Sequence, residues 1–222
     1  MFGLFNNFSF IDIMIKALVL FTALPVHECA HAWVASLLGD DTGRNQGRIT
    51  LNPMKHLDLI GSISMLIVGF GWAKPVSINP RNFKNPKVGM AISSLAGPVS
   101  NILMAYIALI IYKVIFFAGY SSLSNLTVLL QVFGLVVTLN IGLAIFNLLP
   151  IPPLDGSRIF NLFLSPKTYF KIMQYEQYIF IGLILVMFSG ILDYPIRLLQ
   201  NILFEGLDFL SGYVDIIMKL VV

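Results

Sequence analysis

Between Val88 and Ala118 the chain runs for 31 residues with one charged side chain, Lys113. Hydrocarbon offers no water to backbone N–H and C=O groups, so such a run must fold as a helix with its hydrogen bonds made internally. At 1.5 Å per residue it exceeds the roughly 30 Å apolar thickness of a bilayer. Runs at about residues 9–38, 126–149 and 169–192 have the same character. Only 11% of residues are charged, against about 25% in soluble domains. These features predict an all-α polytopic membrane protein with about four transmembrane helices. They read as one domain over 1–222, with its core in 9–165 and C-terminal helices in 169–222.

The segment "LDLIGSISMLIVGFGW", 57–72, has an apolar part too short for a comfortable crossing and reads as a re-entrant or short tilted piece. Its flanks, "GRITLNP" and "KPVSINP", are short β-prone stretches bounded by Gly, Asn and Pro. In the tail, Ile196, Leu199, Leu203, Leu210 and Ile217 keep helical spacing. Arg197, Glu205, Asp208, Asp215 and Lys219 interrupt them, which predicts an amphipathic helix on the membrane surface. Arg44, Arg48, Lys55, Lys74, Arg81, Lys84 and Lys87 flank the short segment, and Arg158, Lys167 and Lys171 follow the third span. The positive-inside rule then puts 39–56, 72–87 and 150–171 in the cytoplasm and the N-terminus outside. That assignment holds together only if 57–72 begins and ends on one side. A net charge of +3, spread over loops, does not suit nucleic acid, and the solitary Cys29 excludes an intrachain disulfide. No cleavable signal peptide is expected, since the first apolar run carries the chemistry described next.

Residues 27–31 read "HECAH". On a helix His27 and His31 lie about 40° apart and one turn along the axis, so both imidazoles can reach one tetrahedral Zn²⁺. Glu28 is offset by about 100° from His27, close enough to meet a water there without ligating the metal. This is the H-E-x-x-H pattern with glutamate as general base, and it holds two of the chain's three histidines. The bland alternative is a pair of core histidines with Glu28 as counter-ion. An unpaired ionisable group in the membrane costs several kcal/mol, which favours function.

A catalytic zinc needs a third protein ligand and an open position. Asp40, Asp41, Asp58, Asp155 and Glu176 are the acids to weigh. Asp40 and Asp41 sit in a Gly-flanked polar loop and read as solvated turn or cap residues. Asp155 stands in "FNLLPIPPLDGSRI", where prolines break an apolar span. Broken backbone at membrane depth is tolerated where it is buried or lines a wet cavity, so Asp155 is a credible ligand. A plain Asp-Gly turn at the surface is the competing reading. His27, His31 and Asp155 all fall toward the cytoplasmic side in this topology.

"HECAH" followed by "NLLPIPPLDG" resembles the site-2 protease family of intramembrane zinc metalloproteases. "LNPMKHLD", "GWAKPVSINPRNF" and "AGPVSN" resemble its compact bacterial and archaeal branch. The resemblance covers about 20–165. It implies one Zn²⁺ per chain held by His27, His31 and Asp155, with Glu28 as base and proton shuttle. It also implies hydrolysis in or near the transmembrane segment of a membrane protein. Asn147 matches a family asparagine proposed to bond the tetrahedral intermediate, though it could equally cap the broken helix. Gly97 and Asn101 match a G-x-x-x-N pattern, for which close helix packing through the glycine, with Asn101 bonding across the interface, is the simpler account. Leu59 stands where relatives often have proline, and neither a PDZ nor a CBS domain is expected.

His56 reads as a loop or interfacial residue, Cys29 as facing away from the metal, and Trp33 and Trp72 as packing or interfacial anchors. The β-prone flanks could form an edge onto which an unwound substrate adds as a strand, or a plain hairpin. Expected partners are a transmembrane protein substrate and membrane lipid, in a prokaryotic cell membrane with the active site toward the cytoplasm. A non-proteolytic zinc-binding regulator or transporter element is the alternative, but metal storage has no use for Glu28.

Overall fold

A computed structural model describes residues 10–67, 72–119 and 123–221. Its α-helices are α1 (Phe10–Leu37), α2 (Thr42–Asn45), α3 (Leu59–Ile67), α4 (Pro86–Ala118) and α5 (Leu123–Asn147). They continue with α6 (Asp155–Phe160), α7 (Pro166–Met173), α8 (Glu176–Phe188), α9 (Asp193–Leu210) and α10 (Gly212–Val221). The protein is helical and membrane-embedded. By length and composition, two helices among the described residues can cross a bilayer: Pro86–Ala118 and Leu126–Asn147.

The expected fourth span is not one straight helix. It is the pair Lys167–Met173 and Glu176–Phe188, bent by 63°, which would make a third crossing if taken together. The expected first span is the 28-residue α1, which continues through Pro25.

Helix α4 is the hub, packed on both α1 and α5. It starts cleanly because Pro86 needs no N–H partner and the Asn85 side chain accepts from Val88 N–H at 3.3 Å. Gly89, Ser93, Gly97, Asn101, Ala105 and Leu109 are all buried and fall at i+4 intervals along one face. Small and polar side chains in such a row let neighbouring helices approach closely in a medium where apolar burial alone drives little association. Further along, Ala105, Ala108 and Leu109 pack with Val137 and Ile141 of α5 and Leu207 of α9.

The β-prone flanks do not form strands among the described residues. The one antiparallel bridge found there, Leu57 with Ala73, lies between the flanks rather than in them, beside a Lys74 N–H to His56 O bond of 2.8 Å. Pro53, Pro75 and Pro80 lack a donor for a ladder, and the Asn52 and Asn79 side chains turn the chain into short 3₁₀ helices. The bridge brings the two ends of the short segment together, so it leaves and returns at one place. Residues 68–71 of that expected segment lie outside those described.

Two loop readings need correction. Asp40 is fully buried rather than solvated. Burial alone would raise its pKa, but hydrogen bonds from Thr42, Asn79 and Asn82 outweigh that and hold the carboxyl below the ordinary carboxylate range. His56 is also fully buried, with Nε2 donating to Thr50 O at 2.8 Å, and is not interfacial.

The tail forms two helices, broken at Ser211, rather than one. Asp208 and Asp215 both meet Lys113 Nζ at 2.8 Å. Acids that looked like interruptions of an apolar face therefore neutralise Lys113, the charge buried within the apolar run of α4.

Candidate metal centre

Helix α1 puts His27 and His31 one turn apart and buried, 4% and 5% exposed, with the rings edge to face at 4.6 Å between centroids. Asp155 arrives from far along the chain as the first residue of α6. The Asp155–Gly156 pair does not form a surface turn; α6 packs on α4 and its start doubles back on Leu148 and Leu149, just past α5. A Cβ on Gly156 would strike the carbonyl oxygens of Leu148 and Leu149, so that fold needs glycine.

Asp155 Oδ2 lies 3.2 Å from His27 Nε2 and 3.2 Å from His31 Nε2, and the two Nε2 atoms are 3.0 Å apart. Ligand atoms about 2.0–2.1 Å from a tetrahedral zinc stand about 3.3 Å from one another. The observed triangle has nearly that size.

The hydrogen bonds behind the rings fix which nitrogens are free. Val136 O can only accept, so Asn140 Nδ2 donates to it at 2.9 Å. Asn140 Oδ1 therefore accepts from Asn101 Nδ2 at 2.9 Å, and Asn101 Oδ1 accepts from His27 Nδ1–H at 2.6 Å. His31 Nδ1–H donates to Ser93 O at 2.7 Å. With both protons on Nδ1, two Nε2 lone pairs and a carboxylate oxygen converge on one point, an arrangement that a cation relieves. Gly97 leaves the space. A Cβ there would lie 2.6 Å from Cε1 of each ring and closer still to His31 Nε2. The donor set and the cradle both fit zinc.

Glu28 is not among the three converging groups. Its Oε2 accepts the Val76 N–H at 3.1 Å, and it lines a cavity of about 390 Å³ together with Trp72, Pro75, Phe146, Asn147 and Arg158. Asn147 Nδ2 donates to Leu143 O at 3.0 Å, inside its own helix. It is the last residue of α5. Cys29 is a free thiol outside the cluster.

Sequence reasoning had Asn101 bonding across a helix interface, as it does to His27 and Asn140, but passed over Asn140, Ser93 and Val76. A polar residue in an apolar run was the available signal for Asn140; the others act through backbone atoms or through burial. Asn101→Ala is expected to weaken zinc binding by about 10- to 100-fold, because His27 loses the partner that holds its tautomer and ring plane. Competition with a chromophoric chelator measures it, and unchanged affinity would remove Asn101 from the site.

The model described as peptidase family M50 matches residues 115–189, which include Asn147 and Asp155. The chain is 45% identical over 185 residues to YwhC of Bacillus subtilis (strain 168), named as a candidate zinc metalloprotease; this covers 83% of the chain and 84% of YwhC. Rip2 of Mycolicibacterium smegmatis, similarly named, is 27% identical over 183 residues, 77% of this chain and 65% of its own. MJ0611 of Methanocaldococcus jannaschii is 28% identical over 156 residues, covering 70% and 73%. No solved structure matches.

Proposed function

The chain belongs to peptidase family M50, the zinc metalloproteases of site-2 type, and on that premise we propose that it hydrolyses a peptide bond in or beside the transmembrane segment of a membrane protein. The convergence of His27 Nε2, His31 Nε2 and Asp155 Oδ2 next to a cavity that also holds Glu28 carries this reading. Those three residues would hold one zinc ion per chain. When bound, the ion supplies Lewis acidity and lowers the pKa of a water toward about 7.

Glu28 takes the proton of the attacking water and returns it to the leaving amine. Asn147, at the cavity wall, is placed to donate its amide N–H to the developing oxyanion once it leaves Leu143 O. The stretch 73–78 borders the cavity and offers backbone to a locally unwound substrate. Unwinding is required because helical carbonyls are engaged in i→i−4 bonds. With the basic loops in the cytoplasm, the cavity opens toward the inner leaflet of a cell membrane, and lipid and a transmembrane substrate are the partners.

Asp155→Ala tests the reading. Zinc should fall from about one per chain to a small fraction of that, with cleavage lost in parallel, because two neutral imidazoles alone make a weak site. Metal analysis of detergent-purified protein decides it; full stoichiometry would exclude Asp155 as a ligand.

A further inference from the structure

Arg48 is 5% exposed, and among the described residues its guanidinium meets no carboxylate. Instead it donates to three backbone carbonyls: Lys55 O, Lys74 O at 3.0 Å and Pro75 O at 2.7 Å. A buried cation solvated only by carbonyls is costly to place. These three acceptors lie on both flanks of the short segment, at the point where Leu57 and Ala73 bridge. The next backbone N–H after Pro75 is that of Val76, the one that holds Glu28 Oε2. Three residues further on, Asn79 N–H donates to the buried Asp40 Oδ2 at 2.8 Å. The stretch from Lys74 to Asn79 is thus pinned at one end by Arg48 and at the other by Asp40, with Glu28 bonded between the pins.

We infer that Arg48 is a positioning residue for hydrolysis: by fixing the carbonyls of Lys74 and Pro75 it holds the Val76 N–H against Glu28 and aims that carboxylate into the cavity. The inference rests on Glu28 being the base. Arginine suits the role because its planar fork reaches three acceptors from one head, whereas a lysine ammonium is a point donor on a flexible stem. Displacing a catalytic group by about 1 Å can cost about 100-fold in rate, so losing this anchor should act on turnover rather than on metal or substrate binding.

The test compares the parent, Arg48→Lys, Arg48→Ala and Glu28→Gln in detergent. Three quantities are measured: zinc content, hydrogen exchange across 73–79, and kcat and KM on a quenched fluorescent peptide carrying one apolar helix of about 20 residues. In Arg48→Lys and Arg48→Ala we expect zinc unchanged and exchange at 73–79 faster. We expect kcat lower by roughly 10- to 100-fold with KM within about twofold. Methylguanidinium should restore turnover to Arg48→Ala and leave Arg48→Lys unaffected. Undiminished kcat in Arg48→Lys, unchanged exchange, a loss confined to KM, or loss of zinc would each overturn the inference. Should Arg48→Ala not fold, Arg48→Lys carries the test alone. Failure of the base assignment looks different: Glu28→Gln then cleaves at the parent rate, whatever Arg48 does.

Discussion

Glu28→Gln is expected to keep about one zinc per chain and to lose cleavage by about 10²- to 10⁴-fold, the range set by general-base catalysis. The substitution is nearly isosteric. Its amide oxygen can still accept the Val76 N–H that Glu28 Oε2 accepts at 3.1 Å, so the cavity wall keeps its place. The three converging atoms belong to other residues, so metal content should be untouched. What disappears is a group able to take up a proton. Comparing membranes that contain the active enzyme with membranes that contain this variant should show transmembrane substrates accumulating in the latter. If the variant cleaves as fast as the parent, another group is the base.

Gly97→Ala is expected to lower zinc affinity by at least about 100-fold, beyond the usual effect of removing an outer partner. The added methyl would sit 2.6 Å from His27 Cε1 and from His31 Cε1, and nearer still to His31 Nε2. Neither ring can retreat freely. His27 is tied to Asn101 at 2.6 Å and His31 to Ser93 O at 2.7 Å, and both lie on a helix packed against α4. Overpacking of this kind also costs about 1–3 kcal/mol of stability. Gly134→Ala is the control: a Cβ there meets only Tyr112 Cε2 at 3.7 Å, an ordinary contact, so zinc binding should not change. Zinc titration monitored by chelator competition separates the two, and equal affinities would mean the cradle at Gly97 is not what it appears from geometry.

The parts of the site legible in sequence are the ones governed by local geometry. His27 and His31 share a face because they are four residues apart on a helix. Asp155 drew attention because prolines interrupt an apolar run just before it. The unread parts depend on residues meeting across the fold. Asp40 beside Gly39 looks like a solvated turn until Asn79 and Asn82 arrive from another loop to cover it. Asp208 and Asp215 look like breaks in an amphipathic helix until Lys113 is placed opposite them. The β-prone flanks failed as strands because side chains claimed their backbone: Arg48 takes the carbonyls of Lys74 and Pro75, and Asp40 takes the Asn79 N–H. The bend between α7 and α8 falls at Gln174 and Tyr175, with neither proline nor glycine to announce it.

Asp155 follows His31 by 124 residues, and that separation orders events during synthesis. The histidine pair exists once α1 and α4 are side by side, but the carboxylate reaches it only after α5 is in place and α6 has folded back. A ribosome therefore delivers the last of the three converging groups late, and a half-made chain in the membrane has no finished blade to turn on its neighbours.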